Sequence, residues 1–348
     1  MAIDASARGN AEATAHAHAW PAQQVALDQD ADVGVLVAEA LGAVGDGSAG
    51  ESGALAGLAV TTRVFTADPP FFDNGDIGRL AVCGAVNDLA ATGAEPRQLA
   101  LGIVLEAGLP LRLLHRLTDS LRDAAREAGV TVAAVDARVV RAGEADRVLV
   151  TATALGTRRY PALRPAALRP GDRILVTAPL GDHAAHLMSL RGALGYERLV
   201  PTDCAPLAGL LAGLVPRLRY ARPVTAGGLA AVLRTCAAAS GLTLRLDEPA
   251  LPVREETRAV LAALGLDPLD AACAGVLCLF VPPDAADGVL QTLRAHAYGG
   301  DSVAVGEVLA DGPGTGTGAG AGTVQLAGTD GASRPLLPPA DPPAARLR

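Results

Sequence analysis

Apolar residues in the first half of the chain recur at two spacings, and each spacing predicts one kind of element. Alternation at every second residue is typical of strands, whereas a three- to four-residue repeat is typical of helices. The alternating pattern predicts strands at 54–65, 98–105, 130–134 and 147–155. The helical pattern predicts one helix that begins near Asp76 and ends near Gly93, and another from Leu111 to Ala128. Together they indicate a βαβ-like unit.

A proline-rich stretch from Pro161 to Pro170 interrupts this pattern and predicts a boundary between two domains. Beyond it, strands are predicted at 173–177, 242–246, 274–281 and 303–308. Helices are predicted to begin at Gly181 and Gly227, and further helices at 205–214, 254–264 and 284–297. We therefore expect an α/β (α+β) fold with an N-terminal domain at 54–160 and a C-terminal domain at 170–310.

Both ends of the chain lack this periodicity. Residues 1 to about 30 are rich in Ala, His, Asp and Gln, and we expect residues 1–53 to form a mobile tail with one short helix at 32–44. Residues 312–322 alternate Gly with Thr and Ala, and proline recurs from Pro335 onward. The segment 311–348 is therefore predicted to form a flexible Gly/Pro-rich tail.

Composition is that of a folded protein, because half of the residues are hydrophobic and 19% are charged. No apolar run approaches the ~18 residues needed to cross a bilayer, and no signal-peptide pattern opens the sequence. The five cysteines are odd in number and widely spread, as expected of reduced thiols in a cytoplasmic protein. A net charge of −8 and few aromatic residues argue against a nucleic-acid partner.

The sequence contains no lysine, so all 29 cationic side chains are arginines. A guanidinium stays protonated and cannot serve as a Schiff-base amine or an ordinary general base. Pyridoxal-phosphate chemistry and a P-loop lysine are thereby excluded.

The most specific motif in the chain is FFDNGDIGRLAVCGAVNDLA, which runs from Phe71 to Ala90. Further segments match in the same order, at 101–110, 181–183, 202–207, 227–229, 252–254, 264–269 and 306–308. This set, spread over about residues 55–310, resembles the hydrogenase maturation factor HypE family. That family lies within the aminoimidazole-ribonucleotide-synthase-like (PurM-like) ATP-binding superfamily.

The resemblance implies a two-domain PurM-like fold that dimerises through the sheet of its N-terminal domain and holds ATP and Mg²⁺. It also implies the family's activity, the ATP-dependent dehydration of a cysteine-bound carboxamide to a thiocyanate that supplies the cyanide ligand of a hydrogenase iron. Phosphoryl transfer depends mostly on positioning and charge neutralisation, so carboxylates must hold Mg²⁺ against the phosphates.

Four residues match acidic or amide positions of the family, namely Asp76, Asn87, Asp88 and Asp136. The resemblance makes Asp88 and Asp136 candidate Mg²⁺ ligands and Asn87 a candidate nucleotide contact, with a structural role as an equal alternative for each. An N-cap is the simpler interpretation of Asp76, because an aspartate before a helix accepts hydrogen bonds from free backbone N–H groups.

Two departures from the family change the charge or chemistry of the implied nucleotide site. Where the family reads Thr-Thr-Asp-Ser, this chain has Arg63 in place of the aspartate. A guanidinium there repels Mg²⁺ by several kcal/mol at short range, although it can also bind phosphate oxygens directly. Arg138 replaces a family lysine, which keeps the charge and loses the capacity for proton transfer.

Other departures remove groups outright. The glycine pair Gly227 and Gly228 is kept for close backbone approach, but the family's acid and arginine beside it are Pro223 and Ala226 here. Ala274 stands where the family carries a glutamate suited to proton transfer, and the sequence offers no evident replacement nearby. The family's His-Gly-Ser-Gly-Gly stretch has no counterpart, and no cysteine follows Cys278 in the sequence, so we expect the self-modified thiol to be missing.

The remaining reactive side chains favour structural roles. His183 and His186 have a spacing that could ligate a metal, but a pair without a third ligand more often caps and packs. Cys273 and Cys278 lie in an apolar stretch and are predicted to be core thiols. Cys204 begins a predicted helix, where a lowered pKa is an alternative to simple packing.

Three functional hypotheses follow. The first is a HypE-like protein that keeps a dimeric ATP-binding scaffold but is catalytically degenerate or repurposed, acting in or beside metallocentre maturation. The second is an active ATP-dependent dehydratase that converts a carboxamide or thiocarboxamide on a separate substrate, with Arg63 and Arg138 holding phosphates. The third is a non-catalytic subunit that pairs with an intact paralogue. The expected partners are a second copy or a paralogue, and other hydrogenase maturation proteins.

Overall fold

The computed structural model describes residues 57–309, 322–330 and 332–338. The predicted N-terminal tail and its helix at 32–44 lie outside the described residues. Two sheets organise the described chain, a four-stranded one built from residues before 160 and a seven-stranded one built from residues after 170.

The N-terminal sheet has the strand order β1-β6-β4-β5, in which only the β4–β5 pair is parallel. Its strands are β1 (Leu58–Phe65), β4 (Ala94–Glu106), β5 (Thr131–Val140) and β6 (Val148–Arg158). A small hairpin of β2 (Phe71–Phe72) and β3 (Gly75–Asp76) leads into helix α1 (Ile77–Ala91), and α2 (Leu111–Glu127) follows β4.

Helices α1 and α2 cover one face of this sheet. Alternate residues of β4 and β6, such as Leu101 and Val150, point to that face and are buried beneath the helices. The matching apolar positions of α2, Leu117 and Leu121, recur every fourth residue and face the same core. The period of two in the strands and the helical period therefore meet in one hydrophobic layer.

The opposite face of the N-terminal sheet is not covered by any of the described residues. Rows of residues paired across the four strands line it, for example Val64, Thr151, Gly102 and Asp136. On this face Val60 and Val64 of β1 keep 40% and 67% of their surface, and the edge strand β5 is exposed almost throughout. An exposed apolar sheet face with an open edge strand marks a surface that pairs with another protein surface.

The C-terminal sheet has the order β13-β12-β9-β11-β7-β10-β8, and its neighbours are antiparallel except for β12 with β9. Its strands are β7 (Arg173–Val176), β8 (Tyr220–Pro223), β9 (Thr243–Asp247), β10 (Leu277–Val281), β11 (Val303–Leu309), β12 (Val324–Ala327) and β13 (Ser333–Pro335). Its helices are α3 (Asp182–Gly192), α4 (Ala208–Leu211), α5 (Gly228–Ser240), α6 (Glu255–Ala263) and α7 (Ala286–Arg294).

Both faces of the C-terminal sheet are buried. Helix α5 covers one face, where Leu233 packs with Phe280 and Leu244. Helices α4 and α7 cover the other face, together with Ala90 and Ala91 from the end of α1. Because all five residues of β10 are buried, this strand shows a continuous apolar run rather than alternation. The shared cluster with α1 joins the two domains through their cores.

The predicted two-domain α/β fold is confirmed, and most predicted elements are present with shifted ends. The helix predicted at 205–214 is wrong in extent, because only Ala208–Leu211 is α-helical. Gly213 adopts a positive φ of 77°, and Pro216 follows in a short 3₁₀ turn, so the helix cannot continue. Strand β8 was not predicted, because its four residues include an arginine and end at a proline.

The flexible tail predicted at 311–348 is wrong for part of its length. Residues 324–327 form β12, which pairs in parallel with β9, and residues 333–335 form β13 beside it. Val324 and Leu326 are buried, and the N–H of Leu244 donates to the carbonyl of Thr323. The two apolar positions were outweighed in the sequence by the Gly-rich and Pro-rich stretches on either side. Within the described residues, no helix is long and apolar enough to span a membrane.

Candidate functional site

Arg63 and Asp88 form an ion pair at the edge of the N-terminal domain. Arg63 is paired across the sheet with the fully buried Ala152, so its side chain leaves the sheet on the helix-covered face. There its Nη1 lies 3.1 Å from Oδ2 of Asp88 on α1. The guanidinium therefore occupies the space in front of the carboxylate that the resemblance assigned to Mg²⁺.

A second arginine acts on the same carboxylate. Burial raises the pKa of Asp88, and the positive charges of Arg63 and Arg222 offset part of that rise. Arg222 lies on β8 of the C-terminal domain, so the two domains contribute opposite sides of this cluster. No sequence signal singled out Arg222, because β8 itself was not predicted. We call Arg63, Asp88 and Arg222 the arginine cluster.

Asp76 is the N-cap of α1, as predicted. Its Oδ1 accepts hydrogen bonds from the N–H groups of Gly78 at 2.9 Å and Arg79 at 3.0 Å, and from the Ser120 hydroxyl at 2.6 Å. Arg116 lies 3.7 Å from its other oxygen. With its oxygens committed in this way, the side chain ties α1 to α2 and has a structural role.

Asn87 faces the C-terminal domain, one residue before Asp88. Its Nδ2 donates to the carbonyl of Ala205 at 2.9 Å, and its Oδ1 accepts from the N–H of Leu207 at 2.6 Å. Both ends of the amide are thus used by backbone groups in a buried position. The structure supports the structural alternative for Asn87 rather than a nucleotide contact.

Asn87 belongs to a stripe on α1 that repeats every four residues, Arg79, Cys83 and Asn87, and that packs on residues 202–207. We call this contact the domain seam. Arg79 Nε donates to the carbonyl of Cys204 at 3.0 Å, and its terminal nitrogens donate to Glu127 at 2.6 and 3.2 Å. The hydroxyl of Tyr298 also donates to Glu127. This network raises the pKa of Arg79 and lowers that of Glu127, so both groups stay charged.

Asp136 and Arg138 lie far from the arginine cluster within one chain. In the sheet register they pair with Gly102 and Val104, which places them on the uncovered face. Strands β1 and β5 are opposite edges of the sheet, about 14 Å apart at the usual strand spacing. The structure therefore separates the predicted site residues into two groups on opposite faces.

The glycine pair forms the start of α5. Gly227 and Gly228 have positive φ values of 76° and 63°, and a Cβ on Gly228 would lie 2.2 Å from the carbonyl oxygen of Leu269. Gly228 N–H donates to Thr225, and Ala230 N–H donates to Leu269. Close packing explains the second glycine, and these backbone donors are not available to a nucleotide.

The two histidines of α3 are buried against the β2–β3 hairpin, where both rings pack edge-on to Phe72. His183 Nδ1 lies 2.6 Å from the hydroxyl of Thr202, and His186 Nδ1 lies 2.8 Å from the carbonyl oxygen of Val200. Burial lowers the pKa of His183 to about 4, so the ring is neutral at physiological pH. The predicted packing role is confirmed for both residues.

Asp203 is a candidate site residue that the sequence did not reveal. Its Oδ1 accepts from the N–H of Ala274 at 2.9 Å, while its buried Oδ2 has no hydrogen-bond partner among the described residues. Burial raises its pKa to about 7. The sequence offered no evident carboxylate to replace the family's glutamate at Ala274, and in the fold one lies against the Ala274 backbone. Asp203 also borders a cavity of about 240 Å³ next to Asp182 and Tyr298.

All five cysteines are buried. Burial raises the pKa of Cys273 and Cys278 well above the usual thiol value, which agrees with their predicted role in the core. A lowered pKa was one alternative for Cys204, and this alternative is wrong. The Cys83 side chain and burial both raise the pKa of Cys204, and Arg79 offsets only part of the rise. The sequence had suggested a helix start at Cys204, but α4 begins four residues later.

Comparison with known proteins identifies two family models along the chain. The model described as AIR synthase related protein, N-terminal domain, matches residues 49–158. The model described as AIR synthase related protein, C-terminal domain, matches residues 169–318. Together they cover most of the chain and fall on the two sheets in order.

Individual relatives are similar over most of their length. Carbamoyl dehydratase HypE of Azotobacter vinelandii is 42% identical over 259 residues, which is 73% of this chain and 76% of the relative. A crystal structure of the hydrogenase maturation protein HypE in complex with ATP is 36% identical with a TM-score of 0.79, covering 84% of this chain and 88% of that one. A crystal structure of a HypE–HypF complex matches at 34% identity and a TM-score of 0.76, covering 81% and 91%.

Proposed function

The chain belongs to the carbamoyl dehydratase HypE family of hydrogenase maturation proteins, and we propose that it is a member that keeps the nucleotide-binding scaffold but has lost metal-dependent catalysis. The family assignment made from the 71–90 motif is confirmed by the matches over both domains. The observation that carries the proposal is the 3.1 Å ion pair between Arg63 and Asp88.

Mg²⁺ does not fit the residues that the resemblance assigned to it. This ion requires near-octahedral oxygen ligands close to 2.1 Å. Asp88 is already neutralised by Arg63, and Asp136 lies on the other face of the sheet. Among the described residues, no three His, Cys, Asp or Glu side chains are grouped to hold a metal ion. The described part of a single chain thus supplies neither the charge nor the geometry for the family's metal.

ATP fits better than its metal, because positive charge can replace Mg²⁺ in contacting phosphates. Arg63 and Arg222 together exceed the charge of Asp88, so the arginine cluster has one net positive charge when all three groups are ionised. A HypE relative binds ATP. We propose that ATP binds this chain through direct arginine–phosphate contacts and without a metal requirement.

A second copy of the chain is the proposed partner on the uncovered face of the N-terminal sheet. That face carries the exposed valines Val60 and Val64 on β1, and Asp136 and Arg138 on β5. Burying it removes apolar surface from water. Because Arg138 is about 14 Å from β1 in its own chain, we propose that it reaches a nucleotide only through this dimer. The HypE–HypF relative makes a HypF-like maturation protein the second proposed partner.

An active dehydratase is the second candidate, and Asp203 is the observation that favours it. With a pKa of about 7 beside Ala274, Asp203 is suited to proton transfer where the family's glutamate is lost. In that case ATP turnover should appear with a separate carboxamide acceptor. Both Asp88→Ala and Asp203→Asn should then abolish that turnover.

ATP hydrolysis by the purified full-length chain tests the proposal. We expect no Mg²⁺-dependent hydrolysis above background for the wild type, either alone or with a HypF-like partner and a carbamoyl donor. The double variant Arg63→Asp/Ala274→Glu restores two of the three lost family acids and should gain measurable turnover. Arg122→Asp reverses a charge on the exposed face of α2 and is the matched control, expected to change nothing. Wild-type hydrolysis that Asp88→Ala removes would contradict the proposal.

A further inference from the structure

The domain seam places two cysteines from different domains against each other. On α1, Arg79 lies one turn before Cys83 and Asn87 one turn after it. Arg79 contacts the carbonyl of Cys204 at 3.0 Å, and Asn87 contacts that of Ala205 at 2.9 Å. Residues one helical turn apart lie on the same face, so these two hydrogen bonds fix the middle of the stripe, Cys83, beside Cys204.

The side chains themselves interact across the seam. The Cys83 side chain contributes to the raised pKa of the Cys204 thiol, and both residues are buried. Neither thiol belongs to the arginine cluster, and neither is needed to explain the nucleotide scaffold. Cys236 and Cys278 are also neighbours, but both lie in the core of the C-terminal domain and span no boundary.

We propose that Cys83 and Cys204 are an oxidisable pair whose disulfide locks the two domains together at the seam. With a small disulfide as oxidant, one cysteine thiolate attacks and releases one small thiol, forming a mixed disulfide. The second cysteine thiolate then displaces the other small thiol. Two protein thiols are oxidised to one disulfide, and one molecule of small disulfide is reduced to two thiols.

The closed seam sets the rate of this reaction. Thiol–disulfide exchange requires a thiolate that can reach the oxidant. Both thiols are buried, and burial together with the neighbouring thiol disfavours the thiolate of Cys204. Oxidation therefore proceeds through openings of the seam, and it accelerates with rising pH. Once formed, the bond opposes the opening that allowed it.

Oxidation of the full-length protein with oxidised glutathione at pH 8.5, followed by alkylation and tryptic mapping without reductant, tests the assignment. Cleavage at arginine places Cys83 in peptide 80–97, Cys204 in 199–217, Cys236 in 235–245, and Cys273 with Cys278 in 259–294. We expect a mass about 2 Da lower and a linked species of peptides 80–97 and 199–217. Cys83→Ser and Cys204→Ser should each abolish it, whereas Cys236→Ser should not.

Two outcomes of the peptide mapping would contradict a disulfide between Cys83 and Cys204. No linked species, or linkage of peptide 235–245 to 259–294 alone, would overturn the proposal. Hydrogen exchange gives a second readout that needs no variant. In the oxidised protein, amides of α1 and residues 202–207 should exchange at least about tenfold more slowly than in the reduced protein. Equal or faster exchange at the seam would show that the bond does not lock the domains.

Discussion

Asn87 and Asp88 are neighbours on α1, but the two side chains meet different surroundings. Asn87 points into the domain seam, where both ends of its amide are matched by backbone groups. Asp88 points into the arginine cluster, where Arg63 faces it in place of the family's carboxylate. The hydrogen bonds of Asn87 hold the two domains together. In the arginine cluster, by contrast, a positive charge stands where the family has a negative one. The difference underlies our proposal that this chain has kept its domain arrangement and lost its metal-dependent catalysis.

Removing the Asn87 amide should have the largest effect on stability, because this amide makes two hydrogen bonds across the domain seam. Asn87→Leu leaves the Ala205 carbonyl and the Leu207 N–H without partners in a buried position. Each such group costs ~1–3 kcal/mol, so we expect a loss of about 3–5 kcal/mol in the free energy of unfolding, measured by urea denaturation. Thr118→Ala on the exposed face of α2 is the control. A loss below about 1 kcal/mol would mean that the seam does not hold the domains.

The pH dependence of stability should isolate Asp203, the unsatisfied acid beside the seam. Its folded pKa is about 7, above its unfolded value of 3.8, so its contribution is fully present below pH 3.8 and is lost as pH rises through 7. Asp203→Asn should therefore gain stability relative to wild type between pH 5 and pH 8, by up to about 4 kcal/mol. Parallel stability–pH curves for the two proteins would contradict the raised pKa.

The contribution of His183 to stability should depend on pH in the opposite direction to that of Asp203. Its folded pKa of about 4 lies below its unfolded value of 6.5. The stability that the neutral His183 ring contributes is fully present above pH 6.5 and is lost as pH falls towards 4. His183→Gln should remove part of this acid loss, and Asp203→Asn provides the comparison variant with the reverse slope. If the His183→Gln variant lost as much stability at acidic pH as the wild type, the ring would not remain neutral when buried.

Replacing Arg63 should have a smaller effect on stability and a diagnostic effect on metal binding. Arg63→Asp removes a half-exposed ion pair and places a second carboxylate beside Asp88, so we expect a loss of about 1–2 kcal/mol in EDTA. Millimolar Mg²⁺ should restore the lost stability of the variant and leave the stability of the wild type unchanged, as measured by thermal unfolding. If Mg²⁺ changed the thermal stability of the two proteins equally, the metal would not bind beside Asp88.

Much of the fold follows from local pattern, whereas the site depends on long-range pairing. The Asp76 cap could be predicted, because its partners lie two and three residues away. The role of Asn87 could not, because its partners lie 118 and 120 residues away. The charge reversal at Arg63 was visible in sequence only through the family motif. Asp203 escaped notice because its proximity to Ala274 requires the tertiary fold.

The separation of Asp136 from Asp88 shows the same limit. Both match family positions, and the sequence alone placed them in one site. The strand order puts β1 and β5 on opposite edges, and the register turns Asp136 towards the uncovered face. A strand order other than the chain order cannot be inferred from strand periodicity. These residues can share a nucleotide only if a second chain brings them together.

The dependence of ATP affinity on Mg²⁺ tests the central claim most directly. Isothermal titration of ATP into the wild-type chain should give dissociation constants within about threefold of each other in excess Mg²⁺ and in EDTA, because arginines rather than a metal contact the phosphates. Arg63→Asp should bind ATP at least about tenfold more tightly with Mg²⁺ than without it. A wild-type affinity that rises tenfold or more with Mg²⁺ would contradict the account.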